Sequence, residues 1–456
     1  MNAIVPQNNT SIAELDRLAE LAQEVIQRAR AAGASQAEVS ASVETGLSVN
    51  VRLGEVETVE HTRDRGFGLT VYFGQRKGSA STADLKTESI EATLTQACAI
   101  ARYTEADPCA GLADPARMAN GQLPDLDLWH PWPLEVAQAI EVGKRIEDAG
   151  RAHPSISNSE GASVQSGAAL GVYANSHGFI GRECGTSHSL SCSLIAGEGD
   201  AMQRDYWYDS VRAASDFPDA ASIGATAAQR AAARLGARKL TTRECPVLFA
   251  PEVAASLIGH LVSAVSGGSL YRRASFLLDH AGKQVLPEFV GIVECPLLSR
   301  GHASTAFDAE GVATRESVLI ERGVLQRYVL GSYSARKLGL QSTGNAGGVH
   351  NLVVSPGSVD GDAPPFDELL ARMGTGLMVT ELIGHGVSTV TGDYSRGAAG
   401  FWIENGAIAY PVEEITIAGN LREMLMDIVA IGTDVDRRSS FLTGSILVGK
   451  MTVAGE

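Results

Sequence analysis

The sequence predicts an α+β protein in two parts: an N-terminal domain of antiparallel sheet with flanking helices over 1–238, and a C-terminal, mainly antiparallel, barrel-like β domain over 239–456. Three observations predict it. The chain has 456 residues, more than one ordinary hydrophobic core organises. The first half interleaves alternating, strand-like runs with segments of helical periodicity. Beyond 239–244 (KLTTRE) glycine becomes denser and short β-like runs dominate.

The elements follow in chain order. Residues 11–32 read as an amphipathic helix, with Ile12, Leu18, Leu21, Val25 and Ile26 near helical spacing and Gly33 as a stop. AEVSASVET, LSVNVRLGE, VETVEHT and FGLTVYFG alternate in character and are separated by glycine, aspartate or charged turns, as in a meander of antiparallel strands. Helical periodicity returns at 88–103 and at 134–153. A second strand-rich block covers 157–213, and 221–238 (ASIGATAAQRAAARLGAR) reads as a long exposed helix whose arginines form a solvated face. In the second half CPVLFAP, SVLIERGVLQRYVL, NLVVSPGS, GLMVTELIG, GFWIENGAIAYPVEEITIAG and SILVGKMTVAG read as strands, with helices at 252–266 and 366–373.

Composition removes several classes of function. A formal net charge of -16 opposes counterion displacement from phosphates, so no nucleic-acid partner is expected. The start, MNAIVPQNNTSIAELD, lacks a basic region followed by an apolar stretch, and no run approaches a membrane span. A cytoplasmic protein with no membrane association is the expectation. Cys98, Cys109, Cys184, Cys192, Cys245 and Cys295 form no C-x-x-C pair and are expected to be reduced, buried thiols.

A zinc peptidase usually carries two histidines and a glutamate on one helix, the histidines holding the metal and the glutamate taking a proton from its water. None of the ten histidines here is followed by glutamate, and no two lie within five residues of each other. A local H-E-x-x-H-type site is therefore absent. A scattered metal site could draw on His260, His302, His350 or His385 with Asp308 or Glu381, although isolated structural histidines are the commoner outcome. Neither a G-x-S-x-G elbow nor a phosphate loop occurs.

The positive signals are three glycine-containing stretches: 271–276 (YRRASF), 342–351 (STGNAGGVHN) and 391–402 (TGDYSRGAAGFW). They nominate Arg272, Arg273, Asn345, His350, Asp393, Tyr394 and Arg396 as peptide-binding candidates. The arginines could bind a peptide carboxylate, pair with acidic side chains of a partner, or brace a loop. Small residues ahead of Phe401 and Trp402 suggest an outward loop anchored by a buried strand. An extended peptide could add along that edge, with Arg396 on its carbonyl or carboxylate, or on Asp393 internally.

TGDYSRGAAGFWIENGAIAYPVEEITIAGN resembles the C-terminal signature of the TldD/PmbA family, and so do YRRASFLLD, SYSARKLGLQSTGNAGGVHN, GSASTADL and ARYTEADPCAGLAD. In detail these strings are similar to the PmbA (TldE) branch. The resemblance implies a strand followed by a helix that in TldD-type chains bears H-E-x-x-x-H, with a cysteine near the C-terminus completing the zinc site. Here the motif positions fall on Gly259, His260 and Ala264, and no cysteine follows Cys295.

What the resemblance implies is therefore a subunit without a catalytic residue or zinc of its own, the zinc lying in a TldD-type partner. It implies a heterodimeric metallopeptidase acting on unfolded or leader peptides, including microcin-type maturation. The family's other description, modulator of DNA gyrase, would then be an indirect effect. A homodimer is expected when the partner is missing, buried mainly through the second domain. The competing readings are a self-sufficient metallopeptidase with an atypical metal site, and a non-enzymatic peptide-binding protein.

Overall fold

A computed structural model describes residues 9–455. A six-stranded antiparallel sheet, in the order β3-β2-β1-β4-β5-β6, fills the first half. Its strands are β1 (Gln36–Arg52), β2 (Glu55–Phe73), β3 (Arg76–Thr82), β4 (Ile156–Asn175), β5 (Ile180–Ala196) and β6 (Gln203–Val211). Four helices cover one face: α1 (Asn9–Ala31), α2 (Thr87–Tyr103), α3 (Val136–Arg151) and α4 (Ala220–Ala233). Strand alternation dictates which side chains they meet. Ala37, Val39, Ala41 and Val43 of β1 pack with Leu18 and Val25 of α1 and Ala97 of α2. Further along the same face, Val49 and Val51 pack with Ile146 of α3 and Ile223 of α4.

Two expectations are corrected here. The four short strands of the N-terminal meander are two long ones. Gly46 makes no turn: it sits within β1 opposite Thr62 on one side and Gly167 on the other. The charged run Arg63-Asp64-Arg65 also stays in the ladder, exposed to water. The second correction concerns α4, which is not a solvated helix. Ile223, Gly224, Ala227, Ala228 and Ala231 are buried, and a side chain at Gly224 would run into the Ile146 carbonyl of α3. Its Arg230 bonds Glu252 at 2.7 Å and its Arg234 bonds Glu381 at 2.6 Å, both beyond the first sheet.

In the second half, β7 (Arg243–Phe249), β13 (Gly376–Ile383), β14 (Asp393–Glu404), β15 (Ala407–Asn420) and β18 (Ile446–Ala454) pair in a closed ring, since β18 also pairs with β7. The ring is antiparallel except for β7–β13. This is the barrel-like sheet that the glycine-rich, strand-rich second half predicts. Strands β12 (Gly357–Ser358) and β16 (Ile428–Ile431) extend it beside β18. A second, five-stranded sheet comprises β8 (Ile292–Glu294), β9 (Ser317–Glu321), β10 (Val324–Leu325), β11 (Leu352–Val354) and β17 (Phe441–Leu442).

The largest core joins Val247 and Phe249 of β7, Ile292 and Leu352 of the small sheet, and Leu257 and Leu261 of α5 (Pro251–Ala264). On the other side, Leu248 and Leu447 pack with Leu369 of α8 (Phe366–Met373). Three short helices escaped the sequence reading: α6 (Gly267–Tyr271), α7 (Ser332–Leu338) and α9 (Leu421–Met426). One turn or two carries too little periodicity to register. Of the six cysteines, all free, four are buried, but Cys109 and Cys295 are only half-buried. Among the described residues no helix is long and apolar enough to cross a membrane.

Candidate functional site

The uncovered face of the first sheet carries almost no bulk at one end. Ser40 lies opposite Gly68 and Tyr173, and Ser42 opposite Gly66 and Gly171. The loops around 305–309 and 346–350 stand over this face, and between them lies a groove of about 700 Å3. Phe307 seats the second half on the first. Its ring fills the space a side chain at Gly181 would need and meets Phe179 edge-on at 5.4 Å. Small floor residues leave room for a main chain to approach.

Glu183, Asp308 and His350 line the groove, together with the Tyr173 phenol. Glu183 accepts a hydrogen bond from Thr305 Oγ1 at 2.5 Å, and the protein packed around it raises its carboxyl pKa. Asp308 accepts backbone N–H bonds from Ala346, Glu310 and Val312. Burial outweighs them and pushes its pKa up to about 6. His350 donates its backbone N–H and directs Nδ1 to Glu294 Oε1, at 2.7 and 2.8 Å. Asn345 Nδ2 bonds the same oxygen at 2.8 Å, and Arg327 pairs with Oε2. Burial works to raise the Glu294 pKa, but the His350 hydrogen bond and the Arg327 charge prevail and hold it below the usual value. Because the Glu294 carboxylate can only accept, Nδ1 of His350 carries a proton toward it.

Asn345 and His350 are thus brought together by a residue the sequence reading missed. The signal was present: Glu294 is a lone carboxylate in an apolar run, Ile292-Val293-Glu294-Cys295. Glu183 carried no such signal, since polar residues alternate along strand faces of the first sheet, and neither did Thr305, an unremarkable loop residue.

The zinc-motif positions lie elsewhere, on α5 directly after β7. Ala264 is fully buried in the core, whereas Gly259 is half-buried with open space where a side chain would stand. His260 meets Tyr394 edge-on, with ring centroids 5.9 Å apart. Burial, and then the nearby Arg396 charge, lower the His260 pKa. Where a zinc would need further donors, His260 therefore faces a phenol and a guanidinium. The residues present do not fit a zinc ion. Among the described residues no group of three or more His, Cys, Asp and Glu could hold a metal. His302 and His385 are not joined to His260 or His350; His302 lies near Arg212 and Asp209, and His385 is exposed.

The remaining candidates separate. Arg272 and Arg273 are exposed, with Arg272 over the Tyr271 ring at 5.5 Å. The expected outward loop at 392–402 is instead strand β14 from Asp393 on, and it is no edge: β15 pairs along one side, and on the other β13 pairs from Gly397 on while Val387 bridges Tyr394. Small residues serve there to let strands close up, as a side chain at Gly400 would meet the Met378 carbonyl of β13. Asp393 bonds Thr391 Oγ1 at 2.7 Å and does not hold Arg396. Arg396 instead donates a long bond, 3.4 Å, to the Leu382 carbonyl.

Comparison with known proteins agrees along most of the chain. Family models described as PmbA/TldA metallopeptidase domain 1, central domain and C-terminal domain match residues 37–101, 129–235 and 242–455. Metalloprotease PmbA of Escherichia coli O157:H7 is 51% identical over 92% of this chain and 92% of its own. The Metalloprotease PmbA homolog of Haemophilus influenzae is 47% identical over 98% and 99%. Among solved structures, a Bacteroides thetaiotaomicron protein proposed as a modulator of DNA gyrase superposes with a TM-score of 0.90 at 29% identity, covering 97% of this chain and 99% of its own. TldE from Thermococcus kodakarensis shares the fold, with a TM-score of 0.80 at 21% identity over 95% and 100%.

Proposed function

The chain belongs to the PmbA/TldD metallopeptidase family, and from that premise we propose that it is the non-catalytic, TldE-type subunit of a TldD/TldE zinc metallopeptidase. The observation that carries this reading is the state of α5. Its motif positions are Gly259, His260 and Ala264, and the space beside His260 is taken by Tyr394 and Arg396. The metal-binding histidines and the general base are missing together, so zinc and its water chemistry come from a TldD-type partner. This chain contributes binding surface and assembly. Its substrates are unfolded or leader peptides, of the kind matured in microcin-type pathways, and its compartment is the cytoplasm. The groove supports the peptide part of the proposal. A floor of serine and glycine accepts a main chain without selecting side chains, which suits unfolded substrates.

Metal analysis and peptidase assay of the chain alone, and mixed with a TldD-type chain, test the proposal. The expected result is no stoichiometric zinc and no hydrolysis alone, with activity on mixing. One tightly bound zinc per chain, lost in His260→Ala, would restore the self-sufficient metallopeptidase. Peptide binding without capture of any TldD-type chain would favour a non-enzymatic binding protein.

A further inference from the structure

The groove over the first sheet continues beyond the 305–309 and 346–350 loops. It shares Ser40, Gly68, Tyr173, Ala309 and Gly347 with a second cavity of about 550 Å3, so the two make one channel between the halves. The strand register shows what its floor is made of. One row across the sheet runs Gly66, Ser42 and Gly171 and ends on Glu183 of β5. Along the same face of β1, Ser42 is followed by Ser40 and then by Glu38. Asp308 and Glu310, from the second half, line the channel as well.

Charge in this channel is unbalanced. Glu38, Glu183, Asp308 and Glu310 line it, and Lys77 is the one lysine or arginine among the described residues that does. The partners of the four carboxyl groups are neutral. Glu38 accepts from the Tyr72 and Tyr173 hydroxyls, Glu183 from Thr305, Asp308 from backbone N–H groups and Glu310 from the Ser332 N–H.

Elsewhere between the two halves the fold matches its carboxylates. Arg230 pairs with Glu252, Arg234 with Glu381, Arg300 with Asp127 and Lys337 with Asp107. Unpaired charge is therefore a property of the channel and not of the whole contact between the halves. Like charges held together repel and oppose compaction. A cleft lined by one sign of charge also focuses its field and concentrates ligands of the opposite sign. Glu183 is the accessible member: it is exposed on the channel wall, at the end of a row of small residues over which a main chain can lie.

We propose that the channel selects positively charged unfolded peptides, with Glu183 and Glu310 meeting their lysine or arginine side chains. This rests on the peptide-handling role proposed above and adds the charge class of the substrate. The serine and glycine floor tolerates any main chain, and the carboxylates bias which chains enter.

The test uses the purified full-length chain and fluorescence anisotropy of labelled, unstructured peptides of equal length, at low ionic strength and at a pH above the Asp308 value of about 6. One peptide carries lysines; the others have glutamine or glutamate in their place. The lysine peptide is expected to bind at least about 10-fold more tightly than the glutamine peptide, and the advantage should shrink as salt is added. Glu183→Gln should cut that advantage several-fold, and Glu310→Gln with it should remove most of the rest, without lowering the melting temperature. Glu88→Gln, exposed on α2 and outside the channel, should leave it unchanged. Should the double variant fail to fold, Glu183→Gln alone carries the comparison. Equal affinity for lysine and glutamine peptides, or no binding of either, overturns the proposal. So does a lysine preference that survives in the folded channel variants, or one that Glu88→Gln weakens equally, because general surface charge would then explain it. If such a result coexists with peptidase activity on mixing with a TldD-type chain, the charge selection alone falls. A channel-dependent lysine preference without assembly sinks the subunit reading and leaves the selection.

Discussion

Removing the Glu294 carboxylate should be among the most damaging single changes in the second half of the chain. Glu294 is 2% exposed and satisfies four donors: the His350 backbone N–H, His350 Nδ1, Asn345 Nδ2 and Arg327. Glu294→Ala strands the Arg327 guanidinium, whose side chain is only 16% exposed. Breaking a buried, hydrogen-bonded ion pair from one side costs about 3–5 kcal/mol. For a cooperative unit of this size that lowers the melting temperature by on the order of 10 °C. Glu294→Gln keeps an oxygen for His350 and Asn345 but opposes an amide N–H to Arg327, so it should cost roughly half as much. The double variant Glu294→Gln with Arg327→Gln should be milder than the sum of the two singles, because no lone charge remains. Urea unfolding and differential scanning calorimetry measure all three. A Glu294→Ala protein that melts within about 2 °C of the parent would refute the account, since the network would then carry no net energy.

Two further outcomes are expected. The folded-state pKa of Asp308, about 6, lies above its ordinary 3.8, so the folded state holds that proton more tightly. Its contribution to stability is full below pH 3.8 and is lost as pH rises through about 6. Asp308→Asn should remove that decline, worth at most about 3 kcal/mol, when the two proteins' unfolding free energies are compared from pH 4 to 7. Gly224→Ala, at the α3–α4 crossing, should cost about 1–3 kcal/mol despite the better helix former, because the added carbon overlaps the Ile146 carbonyl. A stabilised Gly224→Ala protein in thermal denaturation would contradict the packing described for these helices.

What was legible in the sequence divides by physical scale. Long helices register because they repeat one pattern over many residues. Strand count in the first sheet did not, because a ladder tolerates Gly46 and Arg63-Asp64-Arg65 once neighbours supply the hydrogen bonds. The α4 arginines looked like a solvent face because their acceptors, Glu252 and Glu381, are distant in sequence. Two of the candidate residues meet for a nonlocal reason. Asn345 and His350 belong together, but only through Glu294, more than 50 residues away. Arg396 lies on β14 and donates to the Leu382 carbonyl of β13, a neighbour that no pattern within 391–402 encodes.

The degenerate helix itself shows how far this chain stands from a metal site. A side chain added at Gly259 would meet nothing within 4 Å. Gly259→His should therefore fold, and it should gain a few tenths of a kcal/mol by replacing glycine within a helix. Ala264 is different. It is 0% exposed and packed among Leu261, Val265 and their core neighbours, so Ala264→His forces a polar ring into filled space. Overpacking and an unmet imidazole nitrogen together should cost about 3 kcal/mol or more. The fold has thus closed over the second ligand position while leaving the first open. Putting the full motif back with Gly259→His, His260→Glu and Ala264→His should lower stability sharply without creating a zinc site, with Tyr394 and Arg396 still occupying the coordination space. Thermal melts of the single variants, with zinc titration of the triple variant, decide this. A stable triple variant that binds one zinc would mean that Ala264 is not the barrier and that the core yields more readily than its burial implies.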